Sequence, residues 1–106
     1  MKDRDKLREM QIIEQNLHNL LLQKQAFQIE FSETISALNE IKNSKADIYR
    51  IIGQLMIKSE KEKIEKELSD KKRILKLRLD SIENQEDLLT KKADDLRKEI
   101  MKSKEK

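Results

Sequence analysis

Cysteine, proline and tryptophan are absent from these 106 residues, and glycine and histidine occur once each. Without cysteine there is no disulfide framework and no thiol nucleophile. With no signal-like apolar segment at the start, the composition points to the cytoplasm. No apolar run approaches the roughly 18 residues of a membrane span, so no membrane partner is expected. Aromatics make up only 3% and apolar residues 36%, too little for a conventional globular core. Low hydrophobicity alone suits disorder, but disordered chains are usually rich in Pro and Gly. Here the apolar residues recur at regular spacing, which favours long helices.

The same scarcities remove most chemistry. His18 sits beside Leu17 on an outward helix position, and no second His or Cys completes a zinc site. A lone Gly53 cannot form a phosphate-cradling loop. The carboxylates alternate with lysines along helix faces, leaving no isolated pair in apolar surroundings to divide acid and base roles. No catalytic residue, cofactor or metal is expected, and the chain does not read as an enzyme.

Charge is what the sequence has in abundance: 42% Asp, Glu, Lys and Arg, for a net charge of only +3. Residues 1–42 carry six bases against seven acids, and residues 60–106 fifteen against thirteen. A nucleic-acid footprint would be a clustered basic stripe with aromatics for stacking, and this interleaving argues against one. Abundant Lys and Glu suit an exposed coiled coil, and also fit a heat-adapted protein.

The periodicity is that of heptads. Met10, Leu17, Lys24, Phe31 and Leu38 take a positions; Ile13, Leu20, Phe27, Thr34 and Ile41 take d positions, with Leu21 and Ile35 widening the seam. After residue 59 the d positions are Leu68, Leu75, Ile82, Leu89 and Leu96. The a positions mix Leu79, Ala93 and Ile100 with Glu65, Lys72 and Glu86. Stripes at 3.5-residue spacing supercoil against a partner helix. In an antiparallel pair, one register sets a against d throughout, with residue numbers summing to 106. Met10 then faces Leu96, Ile13 faces Ala93 and Leu17 faces Leu89, while Thr34 meets Lys72 and Lys24 comes near Glu86 as register determinants.

Between the heptad segments lies Ile48-Tyr49-Arg50-Ile51-Ile52-Gly53-Gln54-Leu55-Met56-Ile57. It reads as a β-hairpin turning at Gly53-Gln54 in a type II′ turn, with Ile52 opposite Leu55 and Ile51 opposite Met56. The expected layout is a single domain, residues 1–106: helix 4–42, connector and hairpin 43–58, and helix 59–104. Asp3 or Asp5 caps the first helix, and Asn43 ends it in the left-handed conformation. Ser59 and Glu62 form a capping box for the second. Pairs Glu62–Lys66, Glu67–Lys71, Asp87–Lys91 and Asp94–Lys98 support the second helix by roughly 0.3 to 0.5 kcal/mol each.

A plain coiled coil leaves three features unexplained. The hairpin is apolar on both faces, so other chains must cover it. At the far helix ends Leu7, Met10, Ile12, Ile13, Leu96, Ile100 and Met101 offer either a frayed end or an adaptable apolar patch. Leu22 and Ile29 point outward, as single surface apolars often do.

Gln23-Lys24-Gln25, Glu30, Glu33, Ala37-Leu38, Glu40-Ile41, Ile48-Tyr49-Arg50-x-x-Gly53-x-Leu55, Leu77-Arg78-Leu79 and Glu83-x-Gln85-Glu86 together resemble the β-type subunits of archaeal prefoldins, over about residues 10 to 101. The resemblance implies a hexamer of two α and four β subunits, whose hairpins assemble into a β-barrel platform bearing six coiled coils. It further implies an ATP-independent chaperone that holds non-native polypeptides at the coiled-coil tips and passes them to a group II chaperonin. On that reading Ile48, Tyr49, Ile51, Ile52, Gly53, Leu55, Met56 and Ile57 form the oligomerisation hairpin, and Leu7, Met10, Ile13, Leu96, Ile100 and Met101 the client-binding tips. The charged start, Met1 to Lys6, and the short basic tail, Lys102 to Lys106, depart from the family pattern. The alternative is a tethering coiled coil that oligomerises through its hairpin and presents its arms to one specific partner.

Overall fold

The computed structural model describes the backbone of residues 3–105 and the side chains of residues 4–103. Helix α1 spans Asp3–Asn43, strand β1 Ile48–Ile52, strand β2 Leu55–Ser59 and helix α2 Lys61–Glu105. The strands pair antiparallel as a two-stranded sheet, with Ile51 opposite Met56 and Ile52 opposite Leu55, as the hairpin sequence predicts. The chain packs as two compact units. One takes in α1 through Ala26 together with α2 from Leu79 onward; the other is Phe27–Arg78, with the hairpin inside it.

In the first unit Ile13, Ala93 and Leu96 form a buried cluster, and Met10, Leu17 and Leu89 pack against it. These six residues are the first three layers of the predicted register. Leu20, Leu79 and Ile82 are buried in the same unit. Its polar layer also forms: Lys24 Nζ lies 3.1 Å from Glu86 Oε1, both side chains mostly out of solvent at 26% and 20% exposure. Lys6 and Glu99 pair at 3.6 Å on the flank.

In the second unit Thr34, Leu38, Ile64 and Leu75 are buried. The Thr34 hydroxyl donates to the Glu30 carbonyl at 2.8 Å, within its own helix, and Lys72 stays exposed. The expected Thr34–Lys72 pairing is therefore replaced by a local bond that lets a threonine sit in an apolar seam. Ile64 is buried although the heptad frame assigns the seam to Glu65. It precedes Leu68 by four residues, so the apolar stripe at the start of α2 is shifted by one position. On the flanks Lys71 pairs with Glu30 at 3.2 Å, and the Arg78 guanidinium lies 5.5 Å above the Phe27 ring.

The helix boundaries correct several expectations. Ser59 belongs to β2, and its hydroxyl donates to the Ile57 carbonyl rather than capping α2. The first bond of α2 runs from the Ile64 amide to the Glu60 carbonyl, which makes Glu60 the N-cap. Glu60 and Glu62 still place negative charge at the positive dipole end. At the end of α1, Asn43 remains helical, and no non-glycine residue described has positive φ. Ser44 N closes the turn on the Ile41 carbonyl, and the Lys61 ammonium donates to the carbonyls of Lys42 and Ser44 at 3.3 and 3.1 Å. A lysine at the start of α2 thus caps the end of α1, doing what a left-handed residue would otherwise do. Asp5 is the third residue of α1 rather than its cap, and the Asp3 side chain lies outside the described residues.

Two of the expected i,i+4 pairs, Glu67–Lys71 and Asp94–Lys98, give way to other partners. Glu67 pairs with Arg50 on the hairpin, Lys71 with Glu30 across the seam, and Asp94 with Arg97 at i,i+3. No described side chain is fully buried, as expected of a seam one side chain deep on each helix.

The half-buried Lys24–Glu86 pair is expected to behave as a register device rather than a source of stability. Lys24→Met alone leaves the Glu86 carboxylate in the seam without its cation, and should lower stability by about 1 kcal/mol or more. Adding Glu86→Leu should restore that loss or exceed it. Chemical unfolding of the three proteins checks this; a double variant less stable than Lys24→Met would overturn it.

Candidate functional site

Directly opposed residues of an antiparallel pair share a face, and the faces alternate along each strand. One face of the hairpin therefore carries Ile48, Arg50, Ile52, Leu55, Ile57 and Ser59; the other carries Tyr49, Ile51, Met56 and Lys58. The Arg50 guanidinium bonds to the Glu67 carboxylate, which turns the first face toward α2. Arg50, Ile52, Ile57, Glu60, Lys63 and Ile64 line the hollow between them. Lys58 pairs with Asp47 at 3.6 Å.

Neither face is covered. Ile51 is 71% exposed, Met56 68% and Leu55 66%; Tyr49, Ile52 and Ile57 are also exposed, and Ile48 is only half-buried. Each such side chain would contribute roughly 1.5 to 3 kcal/mol if fully covered. Among the hairpin residues singled out in the sequence, all seven apolar side chains are thus available to a partner.

The turn is what lets the strands meet. Gly53 has φ of 61°, and it alone is positive among the described residues. Positive φ at the first central position but not at Gln54 is the signature of type II′.

The proposed tip residues divide by exposure. Leu7 and Met101 are exposed, as is Ile12, while Met10 and Ile100 are half-buried. Ile13 and Leu96, at 4% and 7% exposure, belong to the seam. A heptad frame marks apolar positions without distinguishing seam from rim, so the sequence alone does not separate them. His18 is exposed, and Leu22 and Ile29 point outward. The described residues hold no group of His, Cys, Asp or Glu able to bind a metal, and no helix among them is long and apolar enough to cross a membrane.

One local feature escapes the averaged charge count. Lys71, Lys72, Arg73, Lys76 and Arg78 fall within eight residues that contain no carboxylate. Counting charges over whole helices conceals this run.

Two antiparallel helices joined through a hairpin that exposes apolar side chains on both faces define a coiled-coil protein of the helix–β-hairpin–helix class. Comparison with known proteins gives that class its family. A family described as prefoldin subunit matches residues 4–106, and the chain belongs to it. It is 38% identical over 96 residues to the prefoldin β subunit of Saccharolobus islandicus strain L.S.2.15, covering 89% of this chain and 76% of that one. The Sulfurisphaera tokodaii prefoldin β subunit is 35% identical over 94 residues, covering 87% and 75%. Among solved structures, the prefoldin β subunit from Thermococcus strain KS-1 matches with a TM-score of 0.89 and 32% identity, over 95% of this chain and 90% of that one. The chain accordingly has a prefoldin chaperone role, in a family that is not one of enzymes and whose members assemble with other prefoldin subunits.

Gly53→Val should cost more than roughly 1 kcal/mol, because a β-branched residue resists positive φ. Nothing lies within 4 Å of the position a Cβ would take, so the cost is one of backbone and not of space. A D-alanine placed at 53 by semisynthesis should therefore be neutral or stabilising. Chemical unfolding decides; equal losses for L-Val and D-Ala would mean that packing matters there.

Proposed function

We propose that this chain is a β-type subunit of a cytoplasmic prefoldin of two α and four β subunits, in which the hairpins close into a shared β-barrel. The uncovered hairpin carries this reading: two strands cannot bury two apolar faces, and strands from other subunits supply both the missing edges and the missing cover. The chain acts as a single domain that holds non-native polypeptides without ATP and hands them to a group II chaperonin. Leu7 and Met101 supply the exposed apolar contacts of the tip, with Met10 and Ile100 at its rim. Ile13 and Leu96 join them when the ends fray, since terminal amides and carbonyls lack intrahelical partners. One tip binds weakly, and several on one assembly raise avidity by about 10² to 10⁴.

Two measurements test this. Ile51→Asp or Leu55→Asp should dissolve the oligomer formed with an α-type partner while leaving helix content unchanged, because an unpaired charge is strongly penalised at a buried interface. Sedimentation reads the result, and an unchanged assembly mass would show that the hairpin is not the joint. Removing residues 1–13 and 94–106 should abolish suppression of aggregation of several unrelated unfolding proteins while the assembly persists. Undiminished protection would place client binding elsewhere. Protection of one protein alone would favour a tether for a specific partner.

A further inference from the structure

The hairpin meets the helices through two short necks, residues 44–47 after α1 and Glu60 before α2. Its apolar side chains are exposed apart from half-buried Ile48, so apolar packing does little to set its angle to the helices. Polar contacts span the necks instead. The Lys61 ammonium donates to the Lys42 and Ser44 carbonyls at 3.3 and 3.1 Å, fastening the start of α2 to the last turn of α1 and the first neck. Within that neck the Ala46 amide donates to the Ser44 hydroxyl at 3.2 Å, and Asp47 pairs with Lys58 of β2 at 3.6 Å. Farther along α2, the Glu67 carboxylate accepts from the Arg50 guanidinium of β1.

These contacts act at different points. Lys61 closes the junction from which both strands depart, whereas Arg50 and Glu67 hold one strand against the flank of α2. A single contact leaves a pivot; two at separate points define an angle. Each is exposed and individually weak, so neither holds the angle firmly alone.

We propose that Lys61 and the Arg50–Glu67 pair are positioning residues for assembly, holding the hairpin of the unassembled chain at the angle at which neighbouring strands receive it. Their effect is on the rate of association rather than on the lifetime of the complex. The inference rests on the hairpin being the joint between subunits, as proposed above. A segment already held in its bound arrangement loses less freedom on binding. A hairpin that swings must find that arrangement at each encounter, which lowers kon. Once the strands are paired the neighbours hold it, and koff changes little.

Two measurements test the proposal. Double electron–electron resonance between spin labels at Gln54→Cys and Lys66→Cys reads the hairpin angle in the unassembled full-length chain, which has no cysteine of its own. The distance distribution should be narrow in the parent and broaden when Lys61→Met and Glu67→Gln are combined, with helix content unchanged. Association with an immobilised α-type partner, followed by surface plasmon resonance, should slow about threefold or more in that variant with koff unaltered. Lys61→Arg alone keeps a cationic donor for the two carbonyls and should associate as the parent does. A distribution as narrow in the combined variant as in the parent, or an unchanged association rate, overturns the proposal. So does a change confined to koff, which would make these residues part of the interface itself. Should Ile51→Asp still assemble, the hairpin is not the joint and both readings fall. Should Ile51→Asp dissolve the assembly while the combined variant associates at the parent rate, only this inference falls.

Discussion

A two-stranded ribbon has two faces and two free edges, and its own strands can cover none of them. Everything distinctive about this chain follows from placing such a ribbon between two long helices. The helices satisfy each other through a seam only one side chain deep, and that seam does not extend over the strands, whose apolar side chains stay exposed. Arg50 and Glu67 tie the ribbon to α2 by charge instead, which fixes its orientation while leaving Ile51, Leu55 and Met56 in solvent. The hairpin is therefore oriented by α2 while most of its apolar side chains stay uncovered within the single chain.

The seam is specific for a related reason. Leucines exchange for one another with little penalty when two helices slide by a heptad, so apolar layers alone define a register poorly. Lys24 and Glu86 settle it in the first unit by direct pairing. In the second, Glu30 with Lys71 and Phe27 with Arg78 act at the flanks, while the Thr34 hydroxyl is donated to the Glu30 carbonyl of its own helix and not to Lys72.

Features with a local physical cause were legible in the sequence. Gly53 announced the turn because only glycine takes positive φ freely there, and the strand register followed from it. Heptad spacing gave the seam of the first unit layer by layer. What was not legible depended on competition between partners distant in sequence. Ser59 looked like a helix cap, but pairing with Ile48 holds it in the strand and passes the cap to Glu60. Lys61 carries no local signal for its role, and only the return of the chain brings it to the carbonyls of Lys42 and Ser44. Ile64 was masked by a frame that assumed unbroken heptads. At the tips, composition identified an apolar cluster but not the division between Ile13 and Leu96 inside and Leu7 and Met101 outside.

The tight turn at Gly53 also bears on the order in which the chain folds. Closing a loop costs entropy that grows with the length of chain enclosed. Ile52 and Leu55 are three residues apart, Arg50 and Glu67 seventeen, and Glu30 and Lys71 forty-one, whereas Lys6 and Glu99 are separated by ninety-three. Each contact nearer the turn shortens the effective loop for the next, so an order of pairing outward from the ribbon would need no single large closure. In that order a chain with nonlocal contacts over most of its length closes only short loops at each step, as a locally connected one does. The last pairs to form under this scheme are those nearest the two ends of the chain.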